Sequence, residues 1–223
     1  MLILSIDTCG PLGTVALGRL ESTSREGVEK LTILAQTDLP GKTWSAQLLP
    51  AIRELLATHN APIADLAAIA VTTGPGSFTG IRIGLSTAKG LAEVHATPIL
   101  AVSRLAILVH KANASAAALD AGRGEFYFGN YSATPNEQLI TRDQFTHPAA
   151  LLGPKLAVCE ESLLAVVPTA TLVAPPTAAD ALRFALPRLH SRDFDNPITL
   201  DGNYLRRSDA EIFSKPKTAS TAP

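Results

Sequence analysis

Apolar residues fall in short blocks along the first hundred positions, and the spacing inside each block predicts its element. Leu2 to Ile6 is a continuous apolar run that ends at Asp7, which reads as a strand. A turn over Thr8–Gly13 and further runs at Thr14–Leu17 and Leu31–Thr37 complete an expected meander. From Thr43 to Thr58 the period changes, with Leu48, Leu49, Ile52, Leu55 and Leu56 on one side of a helix. Pro50 lies inside it and is expected to kink it or to mark its first turn. Asp65–Val71 reads as the next strand. Phe78, Ile81, Leu85, Ala88 and Ala92 then recur at three- and four-residue steps to Val94, while Gly80, Gly84 and Ala88 fall four apart on adjoining positions. That helix is expected to be approached closely by a neighbour. Pro98–Val102 is another strand, and Ser103 is placed to cap a helix through Lys111.

The pattern then restarts. Ser115–Leu119 is apolar and ends in Asp120, Ala121–Gly122–Arg123–Gly124 turn, and Glu125–Tyr131 alternates with aromatics. Apolar strand, Asp, turn and strand repeat the order seen at Leu2–Leu17, which argues for two related α/β lobes. Further strands are expected at Lys155–Cys159 and Thr171–Ala174. Helices are expected at Glu160–Val166 and from Thr177 to His190, where Pro187 should kink or shorten the last one. A last short element should end near Phe213, and 214–223, rich in Lys, Thr, Ala and Pro, reads as a disordered tail. The expected division is 1–103, 104–213 and the tail.

The loop between the strand at Val71 and the helix at Phe78 carries the most specific chemistry. Gly74, Pro75 and Gly76 predict a tight turn and Ser77 a helix cap. A P-loop needs G-x-x-x-x-G-K-[ST], but Gly74 and Gly80 are one residue too far apart and Ile81 stands in the lysine's place. A nucleophile elbow fails as well, since Ser77 directly follows Gly76 and Thr79 stands two beyond it. Two readings remain open: a capped loop feeding a close-packed helix, or weak anion binding at the helix N-terminus. The hairpin at Asp7 is likewise open, because strand–Asp–turn–strand holds phosphate in sugar kinases and actin-like ATPases but can equally be a polar tip. Asp7, Thr8, Gly76 and Ser77 are therefore the candidate anion- or nucleotide-binding residues.

Composition narrows the classes further. A net charge of −1 and a pI near 6.5 argue against an autonomous nucleic-acid binder, and Arg206–Arg207 is the one adjacent basic pair in the expected folded region. MLILSID has no basic n-region, and the longest charge-free run, Ser162–Ala179, is broken by Pro168, Pro175 and Pro176. A soluble, cytoplasmic protein is expected. Cys9 and Cys159 form no metal-like pair and read as ordinary thiols. His59, His95, His110, His147 and His190 are scattered, with no two at i, i+4, so neither a helical two-histidine metal site nor a Ser–His–Asp order can be assigned.

The string GPGSFTGIRIGLSTAKGLA, with the opening LILSIDT, resembles the TsaB (YeaZ) family. SAQLLPAI, PILAVSRL, LDAGRGEFYFGNY and NYLRRSDAE follow in the family's order, so the resemblance covers about Leu2–Glu211. It implies an actin-like ATPase (ASKHA) or ribonuclease-H-like α/β fold of two related lobes. It also implies a non-catalytic scaffold role in making threonylcarbamoyladenosine in tRNA, with TsaD as the catalytic partner and the ATPase TsaE binding the pair. Further implications are a homodimer when TsaD is absent, tRNA contact only through the complex, no cofactor of its own, and ATP or ADP at the partner interface. By the same resemblance the two helices form the partner surface, through Ser45, Leu48, Leu49, Ile52, Phe78, Thr79, Gly80, Ile81, Arg82, Gly84, Leu85, Ala88 and Lys89. Gly80 and Gly84 cost roughly 1 kcal/mol each inside a helix, and a partner helix is expected to recover that cost, the alternative being that both glycines face this chain's own sheet. Trp44–Ser45 departs from the family, which usually has His–Ser there. The alternatives are an eroded sugar-kinase-like or ATPase-fold enzyme and, last, a zinc peptidase.

Overall fold

The run LILSID becomes a strand, Leu2–Asp7 (β1), because both of its edges find partners: antiparallel Gly13–Ser22 (β2) on one side and parallel Leu66–Thr72 (β4) on the other. Glu29–Leu39 (β3) pairs with β2, and Ile99–Val102 (β5) pairs with β4, giving the order β3-β2-β1-β4-β5. The computed structural model describes residues 1–22, 29–40, 43–146 and 155–206. The β2–β3 ladder runs to Ser22↔Glu29, past the apolar stretches that predict it, because backbone pairing extends it beyond the core.

Alternation along the strands sorts the core into two layers. Leu4, Ile6, Val15 and Leu17 pack under Trp44–Thr58 (α1) and Phe78–His95 (α2), while Ile3, Ala16, Ala68 and Ala70 pack under Ala178–His190 (α6). A fully buried Leu or Ile contributes roughly 1.5–3 kcal/mol, and a one-residue slip would turn each set to the wrong face. Register is thereby fixed. Ser77 caps α2 by accepting from Gly80 N, and Ser103 caps Arg104–Ala112 (α3) by accepting from Leu105 N and Ala106 N. Both caps agree with the sequence reading.

Ala116–Gly122 (β6), Glu125–Asn130 (β7), Asn136–Thr141 (β8), Leu156–Val158 (β9) and Thr171–Leu172 (β10) form a second sheet in the order β10-β9-β6-β7-β8. Its central strand again has an antiparallel hairpin partner on one edge and a parallel partner on the other, the plan of the first sheet. The duplicated α/β plan of two related lobes is what the restarted pattern predicts. β8 and the short helix Arg142–Thr146 (α4) have no counterpart in that reading. NEQLIT is an edge strand of mostly polar residues and carries no periodic signal, yet it brings in Phe145, fully buried 4.5 Å from the Phe126 ring. A four-residue helix, Glu161–Leu164 (α5), follows β9.

α6 lies in the sequence range 104–213 but packs on the first sheet, against β1, β2, β4 and β5. Thr177 and Asp180 close a capping box at its start, and Pro187 neither ends nor shortens it, since the helix runs on to place Leu189 in the core. After α6 a strap over 195–206 crosses from one sheet to the other. Asp195 N donates to Ile99 O, Asn203 N donates to Thr73 O, and Arg206 donates to Ala121 O and Gly122 O. Arg207, the closing element near Phe213 and the 214–223 tail lie outside the described residues. Among the described residues no helix is long and apolar enough to cross a membrane.

Candidate functional site

The two Asp-ended strands point their hairpin tips at one cleft of about 1190 Å³. Cys9, Gly10 and Pro11 of the first tip, Asp120–Arg123 of the second, the start of α2, Arg104, Glu160 and the strap residues Asn203–Arg206 line it. Its position follows from the fold, because each central strand carries its tip toward the join between the lobes.

The four residues singled out for anion binding lie close to this cleft, and the polar groups of Asp7, Thr8 and Ser77 are taken up by Cys9 and Gly80 of the same chain. Asp7, only 2% exposed, accepts from Cys9 N through Oδ1 at 2.9 Å. Thr8 Oγ1 donates to Gly80 O at 2.6 Å, Ser77 N donates to Cys9 O at 2.9 Å, and Ser77 Oγ accepts from Gly80 N. Gly76 is glycine because a Cβ there would lie 2.3 Å from Cys9 O. Asp7 and Thr8 are not among the residues lining the cleft, whereas Gly76 and Ser77 are.

Arg104 is the residue that sequence reasoning missed, since a single arginine after a helix cap carries no signal. Its backbone N–H donates to Gly74 O at 2.7 Å, and its side chain is buried, 5% exposed, with one guanidinium nitrogen 2.7 Å from where a Cβ on Gly10 would sit. Gly10 makes room for that cation. The guanidinium acts on Asp7 from the first lobe and on Glu160 from the second. Burial raises the pKa of both carboxyls, and Arg104 pulls each part of the way back. Arg104 is thus a buried cation whose field reaches a carboxyl of each lobe. Burial also raises Cys159 to about 12 and pushes Cys9 up, Asp7 adding to the latter, so both thiols stay protonated near neutrality. No group of three or more His, Cys, Asp or Glu among the described residues could hold a metal ion.

The strap is tied to the cleft at three points. Glu137 accepts from Ser103, Tyr131 and Asn203, so one carboxylate joins the α3 cap, the second lobe and the strap. Arg206 adds an ion pair to Glu125 at 2.5 Å, and the Tyr204 ring lies 4.8 Å from that of Phe78. The sequence shows these residues only as the NYLRR string; their joint role depends on a crossing between lobes.

The residues expected at a partner surface separate by exposure. Leu48, Ile52, Gly80, Ile81, Gly84, Leu85 and Ala88 are buried within this chain, Phe78 and Lys89 are half-buried, and Ser45, Leu49, Thr79 and Arg82 are exposed. The glycine argument is corrected here. A Cβ on Gly80 would lie 1.9 Å from Thr8 O, and one on Gly84 would lie 2.4 Å from Thr8 Oγ1, so β1 and its turn make the close approach, not a second molecule. Gly90 differs, being exposed with nothing within 4 Å of its would-be Cβ. Leu49 and Val94, 54% and 73% exposed, are the large apolar side chains these helices leave in solvent. Trp44, at the position where histidine is usual, is buried and donates from Nε1 to Leu39 O.

The family model described as TsaD, tRNA N6-adenosine threonylcarbamoyltransferase, matches residues 38–184. The tRNA threonylcarbamoyladenosine biosynthesis protein TsaB of Escherichia coli K12 is 34% identical over 142 residues, which cover 61% of this chain and 57% of that protein. An uncharacterised protein of Mycobacterium tuberculosis H37Rv is 30% identical over 217 residues, 94% of this chain and 93% of its own length. Among solved structures, an uncharacterised Pseudomonas aeruginosa protein with similarity to peptidase YeaZ superposes with a TM-score of 0.71 at 25% identity, covering 92% of this chain and 99% of that one. The chain spans little more than half the length of the first TsaB proteins it matches. With the family model covering well over half the sequence, TsaB proteins at 34–36% identity and that structure matching 92% of the chain, the chain belongs to the TsaB (YeaZ) family.

Proposed function

We propose that this chain is a non-catalytic subunit in the synthesis of threonylcarbamoyladenosine on tRNA, a partner that supports TsaD and does not carry out the transfer itself. The observation that carries this reading is Arg104. In an actin-like ATPase the first hairpin's carboxylate serves the bound phosphate and its metal; here Asp7 is buried beneath the tip, off the cleft lining, accepts from Cys9 N, and feels the buried Arg104 cation. The exposed side of α1 and α2, through Ser45, Leu49, Thr79 and Arg82, is the surface offered to TsaD, and to a second copy when TsaD is absent. TsaE joins the pair, tRNA is held through the complex, and ATP or ADP is bound at the partner interface, not within this chain.

The test is copurification with tagged TsaD, followed by transfer assays of each protein alone and combined. The chain alone should give background turnover with ATP, tRNA and the threonylcarbamoyl-AMP adduct, and should bind tRNA no tighter than about micromolar near physiological salt, the range of non-specific binding. Turnover by the chain alone that Asp7→Ala abolishes would replace this reading with an ATPase-fold enzyme.

A further inference from the structure

The Arg104 side chain is buried without a partner. It is 5% exposed, its Nε has no hydrogen-bond acceptor, and among the described residues no ion pair takes up its guanidinium, although it lines the cleft between the lobes. In the same cleft Glu160 Oε2 is buried and likewise makes no hydrogen bond. A desolvated polar group left without a partner is costly, and more so when it is charged. Neither side chain takes part in the caps or in the strap. The positive end of α2 adds to the field of the guanidinium, since Phe78 and Thr79 of its first turn line the cleft as well.

The surroundings limit what can meet this cation. Arg206, another cation of the lining, is held by Glu125 and by the carbonyls of Ala121 and Gly122, and Arg123 has interactions of its own. Asp7 and Glu160 lie in the field of Arg104, and Asp120 acts on Glu160, so a group bearing several negative charges would meet carboxyls. A carboxylate brings one charge, where a phosphate monoester brings about −1.5 to −2 at neutral pH. The single charge fits better. The rest of the lining suits an apolar body, because Phe78, Tyr127 and Tyr204 are half-buried on it, with the Phe78 and Tyr204 rings 4.8 Å apart.

The geometry points to a binding site for a small organic carboxylate in this cleft, its carboxylate accepting from the Arg104 guanidinium and from the Glu160 carboxylic acid, and its apolar body lying against Phe78, Tyr127 and Tyr204. Burial holds the Glu160 proton above the ordinary carboxylate range, which keeps a donor at that position. The groups acting on Glu160 are Arg104 of α3 and the neighbouring Cys159, which favour its ionisation, and Asp120 at the end of the β6 apolar run, whose charge opposes it while its backbone hydrogen bond favours it. The site is independent of the pairing with TsaD and of the residues around Asp7, whose polar groups are already taken.

The experiment titrates the full chain alone with benzoate, acetate, inorganic phosphate and AMP, by calorimetry and by NMR. Benzoate should bind with a Kd of about millimolar or tighter, the scale for a ligand of so few atoms, and at least tenfold tighter than acetate. Phosphate and AMP should not displace it. The Arg104 Nε–H resonance of the wild-type chain should move on addition of benzoate, a reading that needs no variant. Arg104→Lys keeps the charge but loses the planar fork and should weaken binding at least tenfold. Affinity should fall by up to about tenfold per pH unit as pH rises through the Glu160 titration, because a proton is taken up with the ligand, and Glu160→Gln, whose amide donates without titrating, should remove that dependence. No binding of benzoate would overturn the inference and leave the cation to water. Tighter binding of phosphate or AMP would overturn the choice of a carboxylate. Benzoate bound equally well by Arg104→Lys, with the Nε–H resonance still, would overturn the site, and a pH dependence that persists in Glu160→Gln would remove Glu160 from it.

Discussion

Gly80→Ala and Gly90→Ala, the same substitution in the same helix, should move stability in opposite directions. At Gly80 the new Cβ meets Thr8 O at 1.9 Å and Trp44 Cζ3 at 2.9 Å, where ordinary contact begins near 3.4 Å. The first obstacle is backbone in the turn after β1, which cannot swing aside. Overpacking of this kind costs about 1–3 kcal/mol, and displacing Thr8 forfeits its bond to Gly80 O, about 0.5–1.5 kcal/mol more. Alanine's better helix propensity returns about 1 kcal/mol. The net is a loss of about 0.5–3.5 kcal/mol. At Gly90 no atom lies within 4 Å, so only the propensity gain of about 1 kcal/mol remains. Urea unfolding at a protein concentration where the chain is monomeric measures both, with midpoints compared at constant m-value. Each kcal/mol should also appear as about 2–4 °C in Tm for a chain of this size. A Gly80→Ala chain as stable as wild type would refute the assignment of this glycine to internal packing. A Gly90→Ala chain that loses stability as a monomer would refute the claim that nothing in the chain needs that glycine.

Glu160 gives a pH test. Its folded-state pKa is raised, chiefly by burial, so between the unfolded value near 4.3 and the higher folded value the native state holds the proton more tightly. Stability from this group is therefore lost as pH rises through that window, and the stability of Glu160→Gln relative to wild type should climb over the same range; a decline would contradict it. Arg104→Met removes the cation that lowers the pKa of Asp7 and Glu160 and should cost stability at neutral pH, read by the same urea unfolding. An effect below 1 kcal/mol would mean that Asp7 and Glu160 do not depend on it. Arg206→Ala should release the second hairpin from the strap and raise amide exchange at 121–124 at least tenfold while leaving β1 unchanged. Unchanged exchange there would show that the strap does not hold the tip.

Much of the fold was legible because it is local. Leu2–Ile6, the 78–94 periodicity, the Ser77 and Ser103 caps and the repeat of strand, Asp and hairpin each depend on neighbours a few residues apart. Spacing, propensity and capping chemistry therefore sufficed for them and for the two-lobed α/β plan. Strands that spacing does not mark, such as the edge strand Asn136–Thr141, form because a neighbouring ladder accepts them. Which glycine faces which surface was not legible at all. The spacing of Gly80 and Gly84 marks a close approach without saying by what, and only the return of Thr8 across α2 assigns both to this chain's own packing and leaves Gly90 open. The same holds for charge. Asp7 looked like a group offered to a ligand until folding brought Arg104, distant in sequence, into Coulomb range of it and of Glu160 from the other lobe. Periodicity fixes what a residue's own element does, whereas burial, counter-ions and close approach belong to pairs that meet only when the chain folds.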